Sequence, residues 1–178
     1  MKTIALFGGS FDPPHIAHEM IVNALLRTKE IDKVIVMPTF LNPFKSSSVA
    51  PAEHRLKWLR KIFSDFDNVE ISDFEVSMGK KIATIESVKH LLKSYQKIYL
   101  VIGADNLSTL HKWHEFDRLK ELVTFIVASR EGVDIPDSFM KLTIDMDISS
   151  TTLRQKLDKT KLPKRCAGEI QQYYEGKQ

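Results

Sequence analysis

Apolar positions along the chain change period repeatedly. The segment 2–8, KTIALFG, is a short continuous apolar run with strand character. HIAHEMIVNALLRTK, at 15–29, then carries Ile16, Met20, Ile21, Ala24 and Leu25 at helical spacing. KVIVMP (33–38) is a second strand, closed by Pro38, and 39–51 is a Pro/Ser-rich loop. Helical period returns at 52–63, with Leu56, Leu59 and Phe63 on one face. NVEIS (68–72) predicts a third strand and 81–94 a third helix. KIYLVIG (97–103) is apolar enough to be a strand buried on both faces. The pattern predicts a helical stretch over 105–122, a fifth strand at 123–130 and a sixth at 141–146. Two closing helices follow, at 149–157 and 163–174.

This alternation predicts an α/β fold: a doubly wound, Rossmann-like parallel sheet with helices on both faces. No internal repeat, low-complexity tract or linker divides it, so 1–178 reads as a single domain. Composition agrees with a globular chain, at 43% hydrophobic and 28% charged residues. Cys166 is the only cysteine, which excludes an intrachain disulfide and fits a reducing, cytoplasmic setting. No apolar run reaches membrane-span length, and no signal-like segment opens the chain. A net charge of +3 is too small for a nucleic-acid-binding surface and suits a local basic pocket for an anionic small molecule.

Candidate chemistry concentrates where strands end. GGSFDPPHIAH (8–18) joins the first strand to the first helix. Gly8 and Gly9 let backbone approach an anion, and helix-start N–H groups favour negative charge. His15 and His18, at i and i+3, leave one face of the first helical turn. The same residues also fit an ordinary Gly turn with two satisfied histidines. The G-x-G-x-x-G and G-x-x-x-x-G-K-[ST] fingerprints are absent. HIAH and HKWH (111–114) repeat an H-x-x-H spacing, but neither H-E-x-x-H nor a cysteine cluster accompanies them, so the sequence predicts no dedicated metal site.

Two later strand ends add to this. In GADNLSTLHKW (103–113), Gly103 permits close approach, Asp105 offers a carboxylate suited to ribose hydroxyls, and Trp113 offers an aromatic face. In ISSTTLR (148–154), Ser149, Ser150 and Thr151 can cap a helix or bind phosphate, with Arg154 one turn on. A cap by Asp105, a buried Trp and a solvated Arg would explain each segment alone. Three such segments at the ends of strands of one sheet are a poor fit to coincidence.

These three segments resemble the G-[ST]-F-D-P-x-H-x-G-H, G-x-D-x(7)-W and I-S-S-T-x-x-R signatures of bacterial nicotinate-nucleotide adenylyltransferases. The resemblance covers essentially the whole chain in element order, length and motif order. Its first and last signatures belong to the wider nucleotidyltransferase superfamily; the Gly103–Asp105–Trp113 spacing points to a pyridine mononucleotide. Three departures stand out. Ala17 replaces the usual Gly, NPFK (42–45) replaces P-P-H-[KR] while keeping Lys45, and Ala83-Thr84 replaces an aromatic-Thr pair.

The resemblance implies transfer of the adenylyl group of ATP to nicotinate mononucleotide, giving deamido-NAD and pyrophosphate. It implies His18, His15 and Arg154 as catalytic residues. It places Gly8, Gly9, Ser10, Phe11, Lys45, Ser150 and Thr151 at the phosphates, with Gly103 and Asp105 at the adenylate ribose. Thr84, Trp113 and His114 would hold the pyridine nucleotide, and Mg²⁺ would arrive bound to ATP. Alternatives keep the reaction and change the acceptor to nicotinamide mononucleotide or phosphopantetheine. HIAH is also close to the H-I-G-H signature of aminoacyl-tRNA synthetases, but no K-M-S-K-S-like loop or anticodon-binding domain is present. A non-enzymatic nucleotide- or RNA-binding module would require a basic face, for which only 156–165 is a candidate.

Overall fold

The computed structural model describes residues 2–177. Its centre is a six-stranded sheet, parallel at every pairing, built from β1 (Thr3–Gly9), β2 (Lys33–Pro38), β3 (Val69–Ile71), β4 (Lys97–Gly103), β5 (Thr124–Ala128) and β6 (Met140–Leu142). The strand order is β3-β2-β1-β4-β5-β6. The order reverses direction between β1 and β4, and ligands of such sheets bind at the carboxyl ends of the strands beside that switch. Phe7 stands opposite Val101 and Gly8 opposite Met37, which puts the Gly8-Gly9 turn at that place.

Strand alternation sorts the core into two layers. Ala5, Phe7, Val34, Val36, Tyr99, Val101 and Ile126 face one side. They pack against α1 (Ile16–Leu26), α2 (Ala52–Ile62) and α7 (Ala167–Glu175) through Val22, Leu25, Trp58, Leu59, Ile62 and Ile170. Ile4, Leu6, Ile35, Met37, Ile98, Leu100 and Ile102 face the other. There they meet α4 (Thr84–Leu91), α5 (Phe116–Leu122) and a 3₁₀ segment, Ala104–Lys112. Central strands buried on both faces read as continuous apolar runs, as β1, β2 and β4 do.

The structure departs from the expected elements in three places. A short helix, α3 (Phe74–Met78), precedes α4 and was not visible in the pattern; it ends at Gly79, whose φ of 63° is left-handed. The expected third helix is correspondingly shorter than 81–94. The helical stretch 105–122 is interrupted: the 3₁₀ segment stops at Lys112, Trp113 is extended, and Glu115 (φ 49°) starts α5. The break has a packing reason. It lets Leu110 and Leu119 both reach the core while Trp113 stays half-buried at the cavity described below. Finally, the expected closing helix 149–157 is shorter: α6 (Ser150–Gln155) ends before Lys156, and Ser149 caps it, its Oγ accepting from the Thr152 N–H at 3.0 Å. Leu56, Leu59 and Phe63 are buried on one face, as their spacing predicts.

Candidate active site

The segments that follow all six strands line one cavity of about 420 Å³ at the carboxyl edge of the sheet. Every residue singled out from the sequence lines it: Gly8, Gly9, Ser10, Phe11, His15, His18, Lys45, Thr84, Gly103, Asp105, Trp113, His114, Ser150, Thr151 and Arg154.

The first wall is held from below by Asp12, which is 3% exposed. Its carboxylate accepts from the N–H groups of Val49 (2.8 Å) and Ala50 (2.9 Å) and from the Tyr174 hydroxyl. Asp12 is thus a loop-shaping residue that ties the β1 loop to the β2 loop and to α7. Arg55, 1% exposed, reinforces the tie. Its guanidinium donates to the carbonyls of Ser10 (2.6 Å), Thr39 (2.9 Å), Phe40 (2.9 Å) and Ala50 (3.0 Å). Between them lies Phe11, a non-glycine at φ 49°, a strained conformation of the kind that clusters at binding sites. Its ring packs edge-on against His18 at 4.8 Å between centroids.

His15 and His18 flank the start of α1, stacked with ring centroids 3.7 Å apart. His18 Nδ1 accepts from the His15 backbone N–H at 3.0 Å. A nitrogen that accepts carries no proton, so the neutral His18 ring holds its proton on Nε2. Burial, helped by the Arg130 charge, pushes His15 down to about 3. Burial first, then His15 and Arg130, lowers His18 well below the ordinary histidine range. Both rings are therefore neutral donors at physiological pH and not cations.

Across the cavity, the Asp105 carboxylate folds back over Gly103, where a Cβ would lie 2.5 Å from its Oδ1. Only glycine leaves that carboxylate its position. On the third wall, Ser150 Oγ donates to the Pro13 carbonyl at 2.8 Å, and Arg154 donates to the Asp12 carbonyl and to Thr151 Oγ1 (3.2 Å). The first and last signatures are thereby joined directly, although they are far apart in sequence.

Arg130 and Glu75 are among the lining residues that were not legible as site residues, together with Thr39, Ser87, Asn106 and Ser129. Arg130 follows β5 and donates to the Ile148 carbonyl (2.9 Å) and Asp147 Oδ1 (3.1 Å), with Asp105 Oδ2 at 3.8 Å. Its place just past a strand end was the available signal. Glu75, on α3, is buried and lines the same cavity; nothing in its local pattern marks it. No group of three or more His, Cys, Asp or Glu among the described residues is arranged to hold a metal ion. No helix among them is long and apolar enough to cross a membrane. Cys166 is buried, and burial raises its thiol to about 12, which makes it inert.

Residues 6–156 match the family described as cytidylyltransferase-like, which makes the chain a member of that class. The chain is 60% identical over 174 residues to a protein of Sulfurimonas denitrificans named "Probable nicotinate-nucleotide adenylyltransferase", covering 98% of this chain and 96% of that one. A protein of the same name from Campylobacter fetus is 46% identical, covering 98% and 97%. Within the cytidylyltransferase-like class, the chain belongs to the nicotinate-nucleotide adenylyltransferase family. In fold it is similar to the nicotinic acid mononucleotide adenylyltransferase of Plasmodium falciparum complexed with NaAD, with a TM-score of 0.82 at 23% identity over 98% of each chain.

Proposed function

We propose that this chain transfers the adenylyl group of ATP to nicotinate mononucleotide, releasing pyrophosphate and forming nicotinate adenine dinucleotide for NAD biosynthesis. The observation that carries the proposal is the convergence of all three strand-end signatures on one cavity at the sheet's switch point.

The chemistry explains the residue types. The acceptor phosphate has a second pKa near 6 and is mostly a dianion at pH 7. One of its oxygens attacks the α-phosphorus of ATP. The bond from that phosphorus to the oxygen bridging to the β-phosphate breaks, and its electron pair leaves with pyrophosphate. No proton needs to move, so the site requires no base. It requires donors aimed at the phosphoryl oxygens, together with positioning of two anions. His18, with its proton fixed on Nε2, donates to the α-phosphoryl oxygens, and His15 stands beside it. The N–H groups from Gly8 to Phe11 and Ser10 line the same place. Arg154, with the Ser150–Thr151 turn, holds the β- and γ-phosphates, and Lys45 closes over them. Gly103 and Asp105 hold the adenylate ribose.

Trp113 stacks on the pyridine ring, with Thr84 and the His114 backbone at its carboxylate. Mg²⁺ would enter as part of the ATP complex, held by phosphate oxygens and water; among the described residues no cluster of His, Cys, Asp or Glu is placed to hold a metal ion. We place the reaction in the cytoplasm, which suits the single unpaired cysteine.

The test is pyrophosphate release with ATP and each of nicotinate mononucleotide, nicotinamide mononucleotide and phosphopantetheine. Turnover led by nicotinate mononucleotide is expected. Efficient turnover with phosphopantetheine alone would overturn the assignment. Within the same assay, Trp113→Ala should raise KM for the pyridine nucleotide about tenfold, the scale of one lost aromatic contact, and leave KM for ATP unchanged.

A further inference from the structure

Glu75 is 6% exposed, and Ser87, one turn into α4, is 1% exposed. The Ser87 hydroxyl donates to Glu75 Oε1 at 2.6 Å. Glu75 Oε2 is equally buried and has no hydrogen-bond partner. Both side chains line the cavity, beside Ala83 and Thr84. They therefore sit under the first turn of α4, in the part of the site assigned above to the pyridine ring.

A buried carboxylate with one oxygen unpaired is costly, and proteins seldom keep one without a purpose. Protonation removes the cost. Burial, aided by the Glu86 carboxylate, pushes the Glu75 carboxyl up to about 7, against the opposing pull of the Ser87 bond. Glu86 is the charge that bears on Glu75; α2, packed beside α3, also carries Glu53, His54, Lys57 and Lys61, of which Lys61 pairs with Glu169. On α2, Arg55 is bound to backbone carbonyls and Arg60 to Asp73. On α4, Lys89 pairs with Glu115, and His90 stacks on Phe74. The facing part of β2, Val34–Pro38, is uncharged. In its acid form, Glu75 accepts from Ser87 at one oxygen and has an O–H to donate from the other.

We propose that Glu75 determines specificity at the pyridine ring, its carboxylic acid donating a hydrogen bond from Oε2 to the nicotinate carboxylate. The inference rests on the acceptor assigned under the proposed function. Ionised, the same side chain would repel a nicotinate carboxylate and could accept from a nicotinamide amide. Glu75 therefore couples the preference between acid and amide to its own protonation. The Ala83 N–H at this helix start already donates to Glu86 Oε2 at 3.2 Å, which leaves the pocket one backbone donor fewer for the carboxylate.

The experiment measures kcat/KM for nicotinate and for nicotinamide mononucleotide from pH 6 to 8.5 at saturating ATP. Where amide turnover is slow, its Ki as a competitive inhibitor takes its place. The ratio of the two cancels the titration of the acceptor phosphate, which both share. In the unaltered protein the acid-to-amide ratio should fall by about tenfold across this range, because one titrating group inverts the contact. In Glu75→Gln the amide carbonyl still accepts from Ser87 and the NH₂ donates at every pH, so the ratio should stay within about twofold. A purely structural Glu75 would leave the same pH slope in both proteins, and that result overturns the proposal. So does a flat ratio in the unaltered enzyme, which decides the matter even if Glu75→Gln does not fold. Failure to turn over nicotinate mononucleotide at any pH would instead remove the assigned acceptor, and this inference with it.

Discussion

The backbone N–H of His15 donates to Nδ1 of His18 at 3.0 Å. That bond fixes which edge of the His18 ring is available for chemistry. With Nδ1 occupied as an acceptor, Nε2–H is a donor whose direction is set before substrate arrives, and preorganised donors act most strongly where charge develops in the transition state. His18→Ala should therefore lower kcat by about 10²–10³ while ATP binding changes by no more than a few fold. Pyrophosphate release under saturating substrates, with ATP affinity measured by calorimetry, separates the two. A His18→Ala enzyme of near-normal kcat would remove His18 from the reaction.

The buried histidines should also shape stability against pH. His15 is 4% exposed and is held near 3 in the folded protein, whereas an unfolded histidine titrates near 6.5. Between those values the unfolded chain binds the extra proton, so stability rises with pH through this window and is fully present above about 6.5. His18 shifts in the same direction. One such group contributes a slope of about 1.4 kcal/mol per pH unit, or about 3–6 °C in Tm for a chain of this size. Melting curves between pH 6.5 and 4.5 should show that decline, and His15→Gln should flatten it.

Strands and signatures were legible in the sequence for physical reasons. A central parallel strand such as β4 must be apolar on both faces, and a phosphate site needs glycine, hydroxyl and cationic residues at strand ends. The residues that hold the signatures in place left no comparable trace. Arg55 sits among Leu56 and Leu59 on a helix whose charged positions ordinarily face water. It is buried only because loops from Ser10, Thr39 and Phe40 bring three carbonyls to it. Asp12 and Tyr174 are 162 residues apart, and their bond depends on α7 docking beside α2. The five-residue α3 is too short to carry a period, and it brings Glu75 with it. The break after Lys112 was hidden because Leu107, Leu110, Trp113, Phe116 and Leu119 follow one another at i, i+3, so each neighbouring pair fits a helix although Leu110 and Leu119 would lie on opposite faces of a continuous one.

Asp12 should prove necessary for folding and not for chemistry. Asp12→Ala leaves the Val49 and Ala50 N–H groups and the Tyr174 hydroxyl without their acceptor. A buried group left unpaired costs about 1–3 kcal/mol, and here three lose one partner. Thermal unfolding should show a fall in Tm of about 6 °C or more. Tyr174→Phe removes one of the three bonds and should cost correspondingly less, with kcat retained.

Gly103→Ala tests the ribose wall. The added Cβ would stand 2.5 Å from Asp105 Oδ1, so the carboxylate must swing away. If Asp105 holds the adenylate ribose, KM for ATP should rise about tenfold, the scale of one lost charged hydrogen bond, with KM for the pyridine nucleotide little changed. Gly8→Ala is the informative companion. Its Cβ meets only the Met37 carbonyl at 3.8 Å, an ordinary contact, so the fold should tolerate it. Any loss of activity there would report the space the phosphates need. Equal effects of Gly103→Ala on both substrates would count against the assignment.

Arg130 links two of the walls. Its guanidinium holds the Ile148 carbonyl and Asp147 at the approach to α6, while Asp105 lies 3.8 Å away on the opposite loop. The same charge helps keep His15 and His18 neutral. Arg130→Gln keeps a donor for the Ile148 carbonyl and removes the charge. Two consequences follow from that single change. The histidines lose a repulsive neighbour, so their protonation in the free enzyme moves to higher pH and the acid limb of kcat/KM moves with it. Asp105 loses its opposite charge, so ATP binding weakens by about tenfold, in keeping with a partly exposed ion pair plus a loosened loop. A pH profile of kcat/KM for ATP, with the far-UV spectrum and Tm as folding controls, reads both. An unchanged acid limb together with an unchanged KM would reduce Arg130 to a strut for the α6 turn.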